Sequence, residues 1–281
     1  MRATKAAKIA KAFKRIYTVL ILLALYAPIV IMVFYSFNAL RSTSTMSFAY
    51  TSERPFGYWY AEVFKNEAAL IALRNSVVLA LLSGFISTVL GTVAAYGLFH
   101  LHRRRLRAVI TNVTNMPMMN PDIVTGISMM LLFATTFAIV GSGQTGFVTL
   151  LIAHITFNLP YVILSISPRL HQMDRNLPEA ALDLGCTPLQ SFFKVELPFL
   201  FPAILSGFIM AITLSLDDYV ISLFTSGSSF ETLPLFIFNM ARKSVPPSIY
   251  ALSTLFLLIV LALLITSNVI QRKTEQKQGA H

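Results

Sequence analysis

Three carboxylates stand in stretches of this sequence that otherwise exclude water. Asp122, Asp217 and Asp218 each interrupt an apolar run that holds no Lys or Arg. An acid at the centre of a membrane helix costs about 2.5–3.5 kcal/mol on insertion scales, so acids found there face a cavity or a partner subunit. An interior with acids and no bases attracts cations and repels anions. Tyr161 and Tyr219, in the same runs, offer cation–π contact. Together these residues point to passage of a cation.

Bond-making chemistry finds no comparable support. His100, His102, His154, His171 and His281 do not fall into H-E-x-x-H or another metal-ligand spacing, and no embedded Ser/His/Asp set is evident. The single Cys186 excludes an internal disulfide and a cysteine-based metal cluster. Gly141-Ser-Gly-Gln-Thr-Gly146 matches G-x-G-x-x-G, but no strand precedes it, so it reads as a tight turn between two membrane helices. There is no P-loop. The chain is expected to be no enzyme and to hold no metal or cofactor.

The elements that position these residues are membrane helices. Of 281 residues, 56% are hydrophobic and 12% charged, about half the charge of a soluble domain. Six runs reach the roughly 20 residues that cross a hydrocarbon core: 16–37, 75–99, 108–138, 146–168, 199–225 and 249–270. The first follows a basic arm but exceeds a signal-peptide core, so a retained first span is expected. The net charge of +10 does not point to nucleic acid, because the basic residues flank the apolar runs. Arg103, Arg104, Arg105 and Arg107, the basic N-terminal arm, and Arg272, Lys273 and Lys277 fall on one side. On the other, Arg41, Arg54, Lys65, Arg242 and Lys243 are interspersed with acids. The positive-inside rule then puts both termini and residues 169–198 in the cytoplasm. On the outer side, Tyr58-Trp59-Tyr60 reads as an interfacial aromatic anchor.

Two spans carry breaks. Asn120-Pro121-Asp122 and Asn158-Leu159-Pro160-Tyr161 combine proline, which removes a helix hydrogen bond, with polar neighbours, as transport pathways do. By helical rise Asp122 lies about 21 Å along a span starting at 108, and Asp217 about 27 Å along a span starting at 199. Adjacent residues on one helix point about 100° apart, so one of Asp217 and Asp218 lines the path while the other bonds a neighbour. The sequence leaves open which.

The polar stretch 177–198 reads as two short helices hinged at a glycine. Asn176 caps the first, Pro178 sits in its first turn, Glu179 meets the positive helix end, and Gly185 terminates it in the left-handed conformation. Thr187-Pro188 starts a second helix that ends at Leu197-Pro198. Small residues on an exposed helix let another protein approach closely.

At these residues the chain resembles the permease subunits of binding-protein-dependent ABC importers. Their signature is Glu-Ala-Ala, three residues, Gly, nine residues, Ile, one residue, Leu-Pro. Glu179-Ala180-Ala181, Gly185 and Leu197-Pro198 match it in spacing, with Val195 in place of the isoleucine. Within the family, residues 120–126, Leu214-Ser-Leu-Asp-Asp218 and Thr232-Leu-Pro234 are similar to the spermidine/putrescine permease branch.

The resemblance implies an all-α, six-helix, type I importer (MetI-like) fold in one transmembrane domain, 1–281, with a cytoplasmic coupling loop at 169–198. It implies a bacterial inner membrane location and polyamine import by alternating access. Glu179, Ala180, Ala181, Gly185, Leu197 and Pro198 would meet one of two ABC ATPase copies, which hold the ATP and Mg. A second permease subunit, PotB-like, and an external polyamine-binding protein would complete the assembly. Relatives on similar scaffolds carry metal ions, thiamine or opines. A stand-alone cation channel or secondary transporter would share the intramembrane acids but have no need of paired cytoplasmic helices.

Overall fold

The computed structural model describes residues 5–40, 46–141, 143–174, 176–243 and 246–278. Arg41, Ser142 and His281, named above, lie outside them. The described residues form helices and no strand, joined by turns and one isolated bridge between Thr51 and Arg54. In order they are α1 (Lys5–Tyr35), α2 (Tyr58–Lys65), α3 (Glu67–His100), α4 (Arg104–Met119), α5 (Asp122–Val140), α6 (Phe147–Gln172) and α7 (Asn176–Asp183). Then follow α8 (Pro188–Ser191), a π-helical turn (Phe192–Glu196), α9 (Leu197–Asp217), α10 (Val220–Thr225), α11 (Leu233–Lys243) and α12 (Pro247–Gln278). Six stretches among them are long and apolar enough to cross a membrane: Phe13–Tyr35, Glu67–His100, Asp122–Val140, Phe147–Gln172, Pro188–Asp217 and Pro247–Thr266.

The chain divides into two compact units. One holds residues 1–67 and 239–257. In it Tyr35 packs on Tyr250 with ring centroids 5.5 Å apart. Trp59 is buried, and its indole N–H donates to the Asn38 carbonyl at 2.6 Å; the Tyr60 hydroxyl bonds Ser36 Oγ at 2.7 Å. The expected aromatic anchor is therefore a core element: the only tryptophan reaches a backbone carbonyl and pins the segment after α1.

The second unit, residues 68–238 and 258–281, carries the features of functional interest. Its core lies where α3, α6 and α9 meet, around Ala95, Val162, Ile166, Leu170, Leu200 and Ala211. The face α3 turns inward is made of small residues, among them Ala80, Ser83, Gly84, Ser87, Thr88, Gly91 and Thr92. A Cβ on Gly91 would fall 2.6 Å from Val162 Cγ1, so glycine there sets how closely α3 and α6 approach. The hydroxyls of Ser87, Thr88 and Thr92 donate to carbonyls one turn back, which hides polar atoms inside an apolar packing.

Proline acts unequally along these helices. The break expected at Asn120-Pro121-Asp122 occurs: α4 ends at Met119, Asn120 is extended, and α5 starts afresh at Asp122. Proline disfavours helical geometry in the residue before it, and Asn120 is that residue. By contrast α6 runs without a break through Pro160 and Pro168, so the interruption expected at 158–161 does not occur. The last part of span 199–225 is also interrupted: α9 ends at Asp217, Asp218 is extended, and α10 begins at Val220.

Candidate functional site

The loop after α6 is built by its caps. Asp174, not Asn176, caps α7: its Oδ1 accepts from the Asn176 N–H at 3.0 Å, and Asn176 is the first helical residue. At the other end the Cys186 N–H reaches the Ala181 carbonyl and the Gly185 N–H the Leu182 carbonyl. This double bond pattern needs a left-handed residue, and Gly185 supplies it at φ 86°. Thr187 caps α8 reciprocally with Gln190: Thr187 Oγ1 accepts from the Gln190 N–H, and the Thr187 N–H donates to Gln190 Oε1.

The second helix does not end at Leu197-Pro198. It widens into the π-helical turn and continues as α9, so Pro188 to Asp217 is one helical run of 30 residues. The widening has a local cause. Pro198 has no N–H to give to the turn before it, and the Leu197 N–H bonds five residues back, to Phe192.

Around this turn the loop is fastened to the membrane helices. Glu196 is buried and accepts from the Tyr96 hydroxyl of α3 at 3.3 Å. Phe192 packs edge-on against Tyr96, and Arg169 of α6 lies 3.9 Å above the Phe199 ring while donating to the Phe199 carbonyl. The outer surface is different in kind: Glu179, Ala180, Gly185 and Pro198 are exposed, as are Leu184 at 87% and Leu189 at 70%. Ala181 faces inward and is buried; Leu197 is half-buried. Two bare leucines and an acid thus stand together at the tip of a capped loop.

The carboxylates occupy two helix breaks. Asp122 is exposed in the first turn of α5, where the helix dipole favours its charge, and lies within electrostatic range of the Tyr161 hydroxyl on α6. One turn on, Gly126 lets α5 seat against α10; a Cβ there would fall 2.7 Å from the Phe224 ring and 3.5 Å from the Val220 carbonyl. At the second break Asp217 is exposed while Asp218 turns inward. Asp218 accepts from the Ile221 and Ser222 N–H groups at 3.1 and 2.8 Å, which caps α10, and its Oδ2 is 3.4 Å from His154 Nε2. His154, buried on α6, bonds Ser215 of α9 through Nδ1 at 2.7 Å, and Ser215 bonds Ser83 of α3 at 2.9 Å. Tyr219 packs on Phe238 with ring centroids 4.2 Å apart and the planes tilted by 38°.

Sequence reasoning missed His154, having tested histidines only for metal-ligand spacing. Its partner lies on a separate helix, and the available signal was a lone histidine in a span that contains no other titratable group until Tyr161. Among the described residues no group of three or more His, Cys, Asp or Glu is placed to hold a metal ion.

The apolar spans, two of them interrupted at polar residues and one continuous with a capped polar loop, are those of a multi-span membrane protein. Residues 87–278 match the family described as the binding-protein-dependent transport system inner membrane component. The chain is 41% identical over 234 residues to the putrescine transport system permease protein PotI of Escherichia coli (strain K12), covering 83% of this chain and 81% of that one. It is 38% identical over 250 residues to the spermidine/putrescine transport system permease protein PotC of Haemophilus influenzae, covering 89% and 92%. In fold it is similar to a chain of a bacterial ABC transporter that imports the acidic polysaccharide alginate, with TM-score 0.74, 12% identity and 96% of each chain covered. The chain therefore belongs to the family of binding-protein-dependent transport system inner membrane components, the permease subunits of ABC importers.

Proposed function

We propose that this chain is the permease subunit of an ATP-driven importer of polyamines, spermidine or putrescine, and that it works by alternating access. The observation that carries the reading is the unbroken helical run from the docking loop into the membrane. A channel or secondary transporter has no use for an exposed, doubly capped loop joined rigidly to a span. The permease relatives named for putrescine and spermidine support the cargo. So does the chemistry: a flexible polycation suits exposed carboxylates at Asp122 and Asp217 with Tyr161 and Tyr219 nearby.

In this reading residues 169–198 face the cytoplasm, as do both termini. Glu179, Ala180, Gly185 and Leu184 seat in an ABC ATPase, two copies of which bind and hydrolyse ATP with Mg. Ala181, Leu197 and Pro198 shape the loop rather than all touching the partner. A second permease subunit completes the pathway, and an extracytoplasmic polyamine-binding protein delivers cargo. Asp217 faces the path, and Asp218 holds the break that presents it.

Uptake of labelled putrescine and spermidine by the reconstituted complex, with thiamine and ferric iron as competitors, is the direct test. ATP-dependent uptake that excess unlabelled polyamine suppresses and the other two leave unchanged is expected. Uptake suppressed by thiamine or iron instead would replace the cargo and leave the coupling in place.

A further inference from the structure

Helix α4 presents its faces the wrong way round. Its partly buried residues are Arg107, Thr111, Thr114, Asn115, Pro117 and Met118; the first four, spaced i, i+4, i+7 and i+8, line a groove against α6. Leu106, Val109, Ile110, Val113 and Met116 are exposed on the other side. A helix that packed on protein alone would turn its apolar stripe inward. The polar stripe instead lines a groove of about 220 Å³, whose opposite wall is apolar and comes from Leu98 of α3 and Ile163 and Leu164 of α6. The side chains of Thr111, Thr114 and Asn115 make no hydrogen bond to another described residue.

The charge in this groove is unbalanced. The His171 Nδ1 sits 2.7 Å from the Ser167 carbonyl, which can only accept, so Nδ1 carries the hydrogen. Nε2 is then the acceptor for Arg107 Nη2 at 2.7 Å, which leaves the imidazole neutral. Arg107 has no carboxylate partner among the described residues, and Arg103, Arg104 and Arg105 stand exposed beside it.

We propose that the groove between α3, α4 and α6 binds one acidic phospholipid from the leaflet that the basic turn before α4 faces. Its phosphate would lie on Arg107, its glycerol and ester oxygens along the hydroxyls and amide of α4, and an acyl chain against Leu98, Ile163 and Leu164. Each part of the groove discriminates. A free inorganic anion would satisfy Arg107 but leave the apolar wall uncovered. A cationic cargo is repelled by Arg107. A zwitterionic headgroup brings an ammonium into an already positive mouth.

The test is native mass spectrometry of the detergent-purified transporter complex from membranes containing phosphatidylglycerol and phosphatidylethanolamine. One phosphatidylglycerol per copy of this chain is expected to survive purification. Arg107→Ala should reduce that retention at least about fivefold, while Lys194→Ala, a change at an exposed cation on the π-helical turn that does not line the groove, leaves it unchanged. Thr114→Phe, which fills the groove without touching the charge, should also abolish retention and guards against misfolding of the arginine variant. Millimolar inorganic phosphate should not displace the lipid. Equal retention in Arg107→Ala, equal retention of phosphatidylethanolamine, or displacement by phosphate would each overturn the proposal.

Discussion

Asp217 and Asp218 are neighbours in the chain and opposites in the structure. Asp218 is held by two backbone N–H groups, the Ser222 hydroxyl and His154; Asp217, at the last turn of α9, is exposed. The two should fail differently when neutralised. Asp217→Asn is expected to leave thermal unfolding of the purified complex unchanged and to lower uptake of a divalent cation such as putrescine about fivefold, the worth of about 1 kcal/mol of partly screened charge contact. Asp218→Ala uncaps α10 and removes the carboxylate facing His154, so it should destabilise the fold by about 1–3 kcal/mol and lower the unfolding temperature before transport is measured. The presence of intramembrane acids was legible from their cost in lipid. Which of the pair faces out was not, because the answer depends on a break after Asp217 that no proline or glycine announces, and on a histidine from another helix.

Among elements, the loop of residues 177–198 was the most readable, since caps and helix stops are local chemistry. Gly185 at φ 86° and the Thr187/Gln190 cap stand where their residue types required. What local signals did not reveal was continuity. A Leu-Pro pair reads as a helix end, yet a π-helical turn lets the helix absorb it. Two measurements address that continuity. Glu179→Arg reverses the charge at the exposed start of α7 and should abolish ATP-dependent uptake while the protein still reaches the membrane. Inserting two glycines between Glu196 and Leu197 keeps the docking surface but breaks the rigid junction, so ATP hydrolysis should persist while uptake falls at least about tenfold. Equal loss of both activities would show that the insertion disturbs docking instead.

For the whole molecule, the number of spans was readable from apolar length alone, whereas their spacing was not. Helices α3 and α6 approach to the distance that Gly91 against Val162 permits, a fact of two residues far apart in sequence. Gly91→Leu should therefore overpack the core by about 1–3 kcal/mol, and Val162→Ala should recover part of that loss in thermal unfolding. The side of the membrane that carries the docking loop can be read through a native probe. Cys186 is the only cysteine in the chain, half-exposed just past Gly185. A membrane-impermeant maleimide should label it in inside-out vesicles and spare it in intact, right-side-out ones.

The run from Pro188 to Asp217 has one more implication. Thirty residues at a helical rise of 1.5 Å span about 45 Å, with the docking surface at one end and the exposed carboxylate at the other. A stiff rod of that length acts as a lever: tilting its loop end by about 10° carries Asp217 through about 8 Å, more than the width of a methylene chain. In the proposed transport cycle, a small seating movement of the loop in an ATPase cleft would thereby become a displacement large enough to open or close a passage, without any part of α9 having to bend.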